Sequence, residues 1–353
     1  MLHYRIRFHS PARWTLTLYW RTRFHSPASW ALLSFFCVAF SLSGCSEDEE
    51  TPATKSWELA RVVDFGQRPV PSPDGNLLAF AAEGTSNHTA GIYLLRANTV
   101  VQLTAGSPPH SWDYVWSGDG KYLAFSAPGE VGTENAGIWV IDVETLELLQ
   151  LWDRGSAPTW DPEDSNVLYC AGPEDGTDNE GIFRISRNPP TRIRIAEQGR
   201  TPKASPDGQR IAFQIAQVGS QGWALYSLTL DSLADELLAF FTSSFSWAWD
   251  SQQIIYEFTE GGALDLYAVS VTSPLSPHLL AIGASMPAAF LLENRAAFVK
   301  LSGASTAGIW TIPVTGGGAE QLTATGTRPQ PTSDGRAIYF DDEDGIYVLN
   351  RIQ

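Results

Sequence analysis

The sequence has little of what catalytic and metal sites most often require. Its 353 residues include three cysteines, two methionines and six histidines. Three of these histidines lie within the first 25 residues, which leaves His88, His110 and His278 spread over the rest of the chain. Because metal sites need ligands clustered at short spacing, a histidine-bound metal is not expected, and no cofactor is predicted.

Cysteine usage excludes a disulfide framework. Cys37 lies in an apolar N-terminal run and Cys45 follows that run, so Cys170 is alone in the rest of the chain and has no partner for an intramolecular disulfide. Its setting, "VLYC", predicts a buried strand thiol and not a nucleophile. The Gly-x-Ser-x-Gly motif of serine hydrolases is also missing. We therefore expect a protein that is not an enzyme.

Basic residues are scarce as well. The chain has 23 Lys and Arg against 39 Asp and Glu. Five of the arginines belong to residues 1–44, which we expect to be removed, so the mature chain has a net charge of about −21. Nucleic-acid binding depends on Lys and Arg that neutralise phosphates, and it is not expected here.

The N-terminal residues have the pattern of an export signal. Residues 1–44 have no acidic residue, and the apolar run Trp30–Leu42 is too short for a membrane span but suits a signal peptide. "LSGC" (Leu42–Cys45), followed by "SEDEE", resembles the bacterial lipobox. We predict a signal peptide at 1–44, lipidation of Cys45 and an acidic tether at 45–55. An ordinary secretory signal with an incidental cysteine is the alternative.

Lipidation would determine where the protein resides. A diacylglycerol thioether together with an N-acyl chain supplies the several chains that stable anchoring needs. Ser46 after the cysteine favours the outer membrane by the sorting pattern of enteric bacteria. The prediction is an outer-membrane lipoprotein of the bacterial cell envelope. It would face the periplasm or the cell surface and touch the membrane only through its lipid.

One phrase recurs through the rest of the chain. It consists of a short strand, a turn such as "SPDG" and a second strand that ends in an aromatic residue; Pro presets φ in the turn and Gly accepts positive φ. A third strand ("GIYLL", "GIWVI") and a fourth ("VVQLT") follow. Four strands per unit at a period of about 40–50 residues is the pattern of a propeller blade. The second-strand aromatics are Phe80, Phe125, Tyr169, Phe213, Tyr256, Phe298 and Phe340.

The two ends of this repeat complement each other. The seventh unit has three strands, and an unassigned strand, Ser56–Val63, precedes the first unit. Pairing the two would close the ring and cover two exposed edges. Ser232–Phe241 has a helix-capping pattern, but its register assigns it as a fourth strand. We predict an all-β, monomeric, seven-bladed β-propeller of four-stranded blades at 56–353, closed by an N-terminal strand that completes the last blade.

The repeat resembles a known one. "PVPSPDGNLLAF…GIYLL…VQLT" and "RPQPTSDGRAIYF…GIYVL" are similar to the WD-like repeat of TolB-type periplasmic proteins, over all seven units. TolB-type proteins have a separate α/β domain before the propeller, whereas about ten residues separate Cys45 from the first strand here. The resemblance implies the fold and a protein-binding scaffold, and it does not imply a particular partner.

Tryptophan is abundant, with 13 residues, and its placement separates packing from binding. Trp116, Trp160 and Trp247 occupy one repeat position in the first strand, so we assign them to packing between blades. Trp112 lies outside that register and is a candidate for exposure. The distribution favours a structural use of most tryptophans over a sugar-binding surface.

A local excess of basic residues gives the candidate site. The first strand of each blade lines the central channel, and its start faces one mouth. In so acidic a chain, a basic mouth favours binding of an acidic peptide, a carboxylate or a phosphate; chance placement with ion pairs to nearby loops is the alternative. The candidate residues at the mouth are Arg68, Trp112, Asp113, Arg200, Lys203 and Arg328.

These features lead to two functional hypotheses. The first is a lipid-anchored, non-enzymatic scaffold that binds an envelope protein or an acidic peptide segment. The second is a glycan- or peptide-binding or processing propeller, a lyase or hydrolase, that uses the central channel; paired carboxylates at one mouth would favour it. The acidic segments Gly172–Gly181 and Asp341–Gly345 are interpreted as solvated loops and not as calcium sites, and no metal site is predicted.

Overall fold

The computed structural model describes residues 57–104, 113–128, 136–174, 180–217, 222–262, 264–290, 293–301 and 307–352. Within these ranges the chain forms strands, and its one helical element is the short 3-10 turn Glu260–Gly262. The predicted all-β class is confirmed. No helix in these ranges has the length and apolar character needed to cross a bilayer. The predicted signal peptide, Cys45, the tether and Trp112 lie outside the described residues.

The first thirteen strands include three four-stranded antiparallel sheets, each in sequence order. Their bounds are Trp57–Val63 (β1), Gln67–Pro71 (β2), Leu77–Ala82 (β3), Gly91–Arg96 (β4), Thr99–Gln102 (β5), Tyr114–Trp116 (β6), Tyr122–Pro128 (β7), Ala136–Asp142 (β8), Leu148–Trp152 (β9), Ser156–Trp160 (β10), Val167–Pro173 (β11), Glu180–Arg187 (β12) and Pro190–Ala196 (β13). The sheets are β2–β5, β6–β9 and β10–β13.

The remaining strands form one seven-stranded sheet and two four-stranded sheets. Their bounds are Arg200–Ala204 (β14), Arg210–Ala216 (β15), Trp223–Thr229 (β16), Ala234–Trp247 (β17), Gln253–Phe258 (β18), Asp265–Ser270 (β19), Ser273–Ile282 (β20), Ala284–Ala289 (β21), Arg295–Lys300 (β22), Gly308–Pro313 (β23), Glu320–Gln321 (β24), Thr327–Pro331 (β25), Ala337–Asp342 (β26) and Gly345–Arg351 (β27). The sheets are β14–β20, β21–β24 and β1-β27-β26-β25.

The seven-stranded sheet arises because the long strand β17 belongs to two repeat units. Its first half pairs with β16 as a fourth strand, for example Ala234 with Thr229. Its second half pairs with β18 as a first strand, from Thr242 with Phe258 to Trp247 with Ile254. The prediction that Ser232–Phe241 contributes a strand and not a helix is confirmed. The chain passes from one repeat unit to the next here without an intervening loop.

The first and last strands pair with each other. β1 lies antiparallel to β27, with Trp57 opposite Arg351 and Val63 opposite Ile346. This is the pairing that the missing strand of the seventh unit predicted. It places β1 on the outer edge of the sheet that contains β25, β26 and β27.

Repeat aromatics lie opposite aromatic residues of the neighbouring strand, and the assignment of one of them is corrected. Phe80 lies opposite Tyr93, and Phe340 lies opposite Tyr347. In the third unit, however, the residue opposite Phe183 is Cys170. The assignment of Tyr169 to this repeat position is therefore wrong by one residue.

A longer turn causes this shift. In the third unit the turn closes from Asp161 N–H to the Val167 carbonyl, whereas in the first unit it closes from Ser72 N–H to the Leu77 carbonyl, one residue shorter. Cys170 thus takes the place of an aromatic ring. It is fully buried, as predicted, and burial raises the pKa of its thiol, which keeps it protonated and unreactive.

The core lies between adjacent sheets. One buried cluster joins Ala79 of β3 to Trp116 of β6, and similar clusters follow around the molecule. The predicted packing role of the repeat tryptophans is confirmed. Each indole N–H also donates to a carbonyl in the first strand of the preceding unit, so these rings hold adjacent sheets together as well as fill the space between them. The bonds are Trp116 to Val70 (2.9 Å), Trp160 to Val115 (3.0 Å) and Trp247 to Lys203 (2.9 Å).

Candidate functional site

The first strands of six units have a β-bulge, and five of these bulges share one backbone conformation. In β2 the ladder shifts between Gln67 and Val70, and β25 shifts between Thr327 and Gln330. Each of the five contains a residue with positive φ directly before a proline, which is uncommon for residues other than glycine. A bulge redirects side chains and often lies beside a functional site. These residues are Arg68 (φ 55°), Ala157 (φ 50°), Thr201 (φ 47°), Met286 (φ 53°) and Arg328 (φ 52°).

In three bulges, a buried polar side chain accepts a hydrogen bond from the backbone N–H of the residue with positive φ. Each acceptor lies one residue after the repeat aromatic of the preceding unit. Sequence reasoning missed these residues, although the polar residue after each aromatic was a usable signal. The bonds run from Arg68 N–H to Asp341 Oδ1 (3.3 Å), from Ala157 N–H to Ser126 Oγ (2.9 Å) and from Met286 N–H to Glu257 Oε2 (3.5 Å).

Arg328 is held by the buried carboxylate of Asp341. Its Nε donates to Asp341 Oδ1 at 3.0 Å, and its Nη2 donates both to Asp341 Oδ2 and to Gln67 Oε1. Thr327 Oγ1 also donates to Asp341 Oδ2. Asp341 is only 3% exposed, so the interpretation of Asp341–Gly345 as a solvated loop is wrong at this residue. The ion pair compensates much of the Arg328 charge.

Arg68 occupies the same bulge position in the neighbouring sheet. Burial lowers the pKa of its guanidinium, and the nearby positive charge of Arg328 lowers it further, while Asp113 and Asp341 oppose this effect. The Arg68 carbonyl accepts a hydrogen bond from the Tyr114 hydroxyl. Burial raises the pKa of Tyr114, so its hydroxyl remains a neutral donor. Arg328, Arg68 and Asp113 therefore interact across three consecutive sheets.

Lys203 projects from β14 into a polar and aromatic environment. Its Nζ donates to the Phe245 carbonyl at 2.5 Å and lies 5.1 Å from the Phe245 ring centroid. The surrounding protein lowers the pKa of the Lys203 ammonium, while the Asp113 carboxylate raises it. Residue 203 nevertheless retains exposed surface. A side chain that is largely surrounded by protein and still contacts water is expected at a position that lines a channel.

The structure describes five of the six predicted site residues. Arg200 lies at the start of β14, with its guanidinium carbon 4.2 Å from the Trp223 ring centroid. Trp112 lies outside the described residues. We call the remaining residues the charge cluster. It consists of Arg68, Asp113, Lys203 and Arg328, together with the unpredicted Asp341.

The described histidines have structural contacts. His88 stacks on Phe65, with ring centroids 3.8 Å apart and nearly parallel planes. His278 Nε2 lies 2.9 Å from the Val314 carbonyl. Across the described ranges, no group of three or more His, Cys, Asp or Glu side chains is placed to hold a metal ion.

Comparison with known proteins identifies the fold. No protein-family model and no curated protein matches the chain. Among solved structures, a β-propeller domain from Myceliophteria thermophila matches with a TM-score of 0.60 at 9% identity, covering 84% of this chain and 100% of that one. The described part of the chain is a β-propeller. Its bulged first strands carry Arg68, Lys203 and Arg328 of the charge cluster.

Other propellers of known structure differ in function. An oligogalacturonate lyase in complex with manganese matches with a TM-score of 0.64 at 15% identity, covering 85% of this chain and 95% of that one. A candidate TolB from Agrobacterium tumefaciens matches with a TM-score of 0.50 at 15% identity, covering 72% and 94%. Likeness at this level of identity establishes the propeller fold and leaves the activity to be argued from the site.

Proposed function

We propose that the propeller has seven blades and is closed by β1. The two halves of β17 then belong to separate blades, and β1 completes the blade of β25–β27. Support comes from hydrogen bonds that link each repeat unit to the next, from the first unit through the seventh and back to the first. These are Trp116 to Val70, Trp160 to Val115, Ala204 to Thr159, Trp247 to Lys203, Ala289 to Ser246, Arg351 to Glu293 and Arg328 to Gln67.

We further propose that this propeller is a lipid-anchored, non-enzymatic scaffold of the bacterial envelope. Its charge cluster would bind an acidic segment of a partner protein. The observation that carries this proposal is the placement of Arg68, Lys203 and Arg328 on bulged first strands in a chain whose net charge is −16. Charged guanidinium and ammonium groups form strong hydrogen bonds with carboxylates.

The three cations do not contribute equally. Arg328 is held by the buried Asp341 carboxylate, so its charge is partly compensated before a ligand arrives. Arg68 and Lys203 lie on β2 and β14, and the Asp113 carboxylate raises the pKa of each. An extended acidic peptide could therefore place carboxylates at both cations, which favours a segment with several acidic residues.

Binding of a fluorescently labelled hexaglutamate peptide, followed by anisotropy, tests this function. Arg68→Gln and Lys203→Gln should each weaken binding about tenfold, because each removes a charge-assisted hydrogen bond. Arg336→Gln is the matched control, since Arg336 is an exposed arginine in the turn at the other end of β25. Absence of binding by the unaltered protein, or an equal loss in Arg336→Gln, would exclude the charge cluster as the site.

Anchoring through Cys45 is tested separately. Mass spectrometry of the N-terminal peptide from the bacterial membrane fraction should show diacylglycerol and acyl chains on Cys45. Cys45→Ala should move the protein from the membrane pellet to the soluble fraction, since no other membrane contact is proposed. A protein that stays in the pellet after this substitution would contradict anchoring by lipid alone.

A second candidate function is binding or cleavage of an acidic oligosaccharide. It is favoured by the structural likeness to oligogalacturonate lyase, because a cluster of cations also suits the carboxylates of a uronate chain. Oligogalacturonate would then compete with hexaglutamate. Lyase activity would be detected as the ultraviolet absorbance of the unsaturated product. The scaffold proposal expects no such product, and its appearance would replace that proposal.

A further inference from the structure

Glu257 is a buried carboxylate with no cation beside it in the described part of the chain. It is 8% exposed, and its Oε2 accepts hydrogen bonds from Ser244 Oγ at 2.8 Å and from Met286 N–H at 3.5 Å. No Lys, Arg or His of the described ranges forms an ion pair with it. The undescribed stretches after Trp57 contain neither Lys nor Arg. A buried carboxylate is normally compensated by a cation, so this acid lacks the partner that its burial calls for.

The equivalent acid of the seventh unit has such a cation. Glu257 and Asp341 each directly follow the repeat aromatic of their unit. Each also accepts the bulge N–H of the neighbouring unit, from Met286 and from Arg68 respectively. Asp341 in addition binds the guanidinium of Arg328. The two carboxylates therefore have the same backbone contact, and among the described residues they differ in whether the chain supplies a cation.

A serine takes the place of the arginine in the fifth unit. Ser244 lies four residues before Ala248, whose N–H closes the turn of that unit. Arg328 lies four residues before Thr332, whose N–H closes the turn of the seventh unit. The Ser244 hydroxyl reaches the carboxylate but is neutral, and it is much shorter than an arginine side chain. The fifth unit thus keeps the acid of this pair and has lost the base.

Ser285 adds a buried hydroxyl without a partner. It is 3% exposed, and its Oγ has no hydrogen-bond partner among the described residues. Ser285 directly precedes Met286, as Gln67 directly precedes Arg68. Gln67 Oε1 accepts a hydrogen bond from the Arg328 guanidinium. The unpaired hydroxyl of Ser285 therefore lies at the repeat position that contacts a guanidinium elsewhere in the ring, and leaving it unpaired has a cost in free energy.

The surroundings of Glu257 are open to solvent on one side. Met286 is 38% exposed, Ser243 is exposed and Ser244 is half-buried. Because the Ser244 hydroxyl touches Glu257 Oε2, a group that enters from solvent beside Ser244 reaches the carboxylate.

We propose that Glu257, Ser244 and Ser285 form a binding site for a guanidinium group, the side chain of an arginine in a partner peptide. We call these three residues the guanidinium site. A guanidinium is the group that the equivalent residues bind in the seventh unit. Its planar set of N–H donors contacts a carboxylate and a hydroxyl oxygen at the same time. The bond to Ser285 Oγ would satisfy the hydroxyl that otherwise has no partner.

The guanidinium site goes beyond the proposed function and does not rest on it. The charge cluster would take an anion at Arg68 and Lys203, whereas this site takes a cation in the fifth and sixth units. A partner segment that carries acidic residues and an arginine would engage both. Probes of opposite charge test the two sites, so each can fail while the other holds.

Binding of N-acetyl-arginine methylamide, followed by NMR titration, tests the guanidinium site. The citrulline analogue has nearly the same shape but no charge, and it should bind about tenfold more weakly or not at all. Glu257→Gln keeps an acceptor oxygen for its two hydrogen bonds but removes the charge, so it should weaken arginine binding about tenfold. Glu236→Gln, at an exposed acid of β17, is the matched control and should bind as the unaltered protein does.

A second pair of variants supplies the cation within the chain. Ser244→Arg places an arginine at the repeat position of Arg328, and Ser243→Arg places one at the exposed neighbouring position. Ser244→Arg should fill the site, so it should abolish binding of the arginine probe and give a higher urea midpoint than Ser243→Arg. This difference in midpoint should disappear when Glu257→Gln is added to both variants, because the carboxylate is then gone.

The outcomes separate this site from the charge cluster. Loss of arginine binding in Glu257→Gln and Ser244→Arg, with binding retained in the two controls, supports the guanidinium site. No saturable binding by the unaltered protein, equal binding of the citrulline analogue, an equal loss in Glu236→Gln, or equal midpoints of the two arginine variants would overturn it. Hexaglutamate binding should be unchanged in Glu257→Gln. Arginine binding by a protein that does not bind hexaglutamate would keep this site and reject the charge cluster.

Discussion

Asp341 Oδ1 accepts a hydrogen bond from the backbone N–H of Arg68, 3.3 Å away, although 273 positions separate the two residues. The same carboxylate is paired with the Arg328 guanidinium. One buried acid therefore fixes the bulge of the first blade and the charged side chain of the last blade. The geometry of the charge cluster depends on a residue that offers almost no surface to a ligand.

Asp341→Asn should destabilise the propeller. The substitution leaves the partly buried Arg328 without its anion, so we expect the free energy of unfolding to fall by about 2 kcal/mol. The loss is smaller than for a fully buried ion pair because Arg328 keeps some contact with water. Urea denaturation measures the change. Glu343→Gln, at an exposed acid nearby, should have little effect. Equal stability of the two variants would contradict the assigned role of Asp341.

Ala157→Gly should stabilise the protein. Ala157 has φ 50°, a conformation that costs an L-residue about 1 kcal/mol and costs glycine nothing. Part of that gain is offset by the greater freedom of glycine in the unfolded chain, so we expect about 0.5 kcal/mol in urea denaturation.

The matched control is Ala79→Gly, at a fully buried position of β3 that is not among the residues with positive φ. There the same substitution should destabilise the protein by about 1 kcal/mol. If both substitutions destabilise it alike, the bulge does not store strain at Ala157.

We expect acidic pH to destabilise the turns, because it protonates their aspartate side chains. Hydrogen bonds from the Ser72 hydroxyl and the Asn76 N–H lower the pKa of Asp74. A carboxyl whose folded pKa is lowered stabilises the fold above its unfolded pKa of about 3.9, and this contribution disappears as pH falls through the folded value.

Asp74→Asn should therefore reduce the difference in urea midpoint between neutral pH and about pH 3. Asp119 and Asp334 occupy the same turn position. Burial opposes the shift at both, yet their hydrogen bonds keep the pKa of each lowered. The triple Asp→Asn variant should show a larger reduction than Asp74→Asn alone. An unchanged pH dependence in the triple variant would show that acid acts elsewhere.

The fold was largely predictable because its signals are local. Turn residues and the alternation of apolar positions identify the strands, and the unmatched first and last strands predicted the pairing of β1 with β27. The shift at Cys170 was not predictable in this way, since the turns of the first and third units have similar sequences but close over different lengths. A single residue of turn length decides which side chain faces the core.

The charge cluster was predictable only in part. The sequence assigned Arg68, Asp113 and Arg328 to one channel mouth. It assigned Arg200 to the same mouth, and in the structure that guanidinium lies over the Trp223 ring. Asp341 was missed because its role depends on burial and on a contact with the far end of the chain. Such long-range polar contacts have no short sequence pattern.

The pairing of β1 with β27 affects the order in which the sheet can form during synthesis. β1 is synthesised first among the described strands, yet its partner is synthesised last. During translation this strand has no native neighbour, and its open backbone groups are available to other chains. It stays unpaired until β27 has been synthesised. A chain that lacks β27 would expose the edges of both β1 and β26, and we expect it to aggregate.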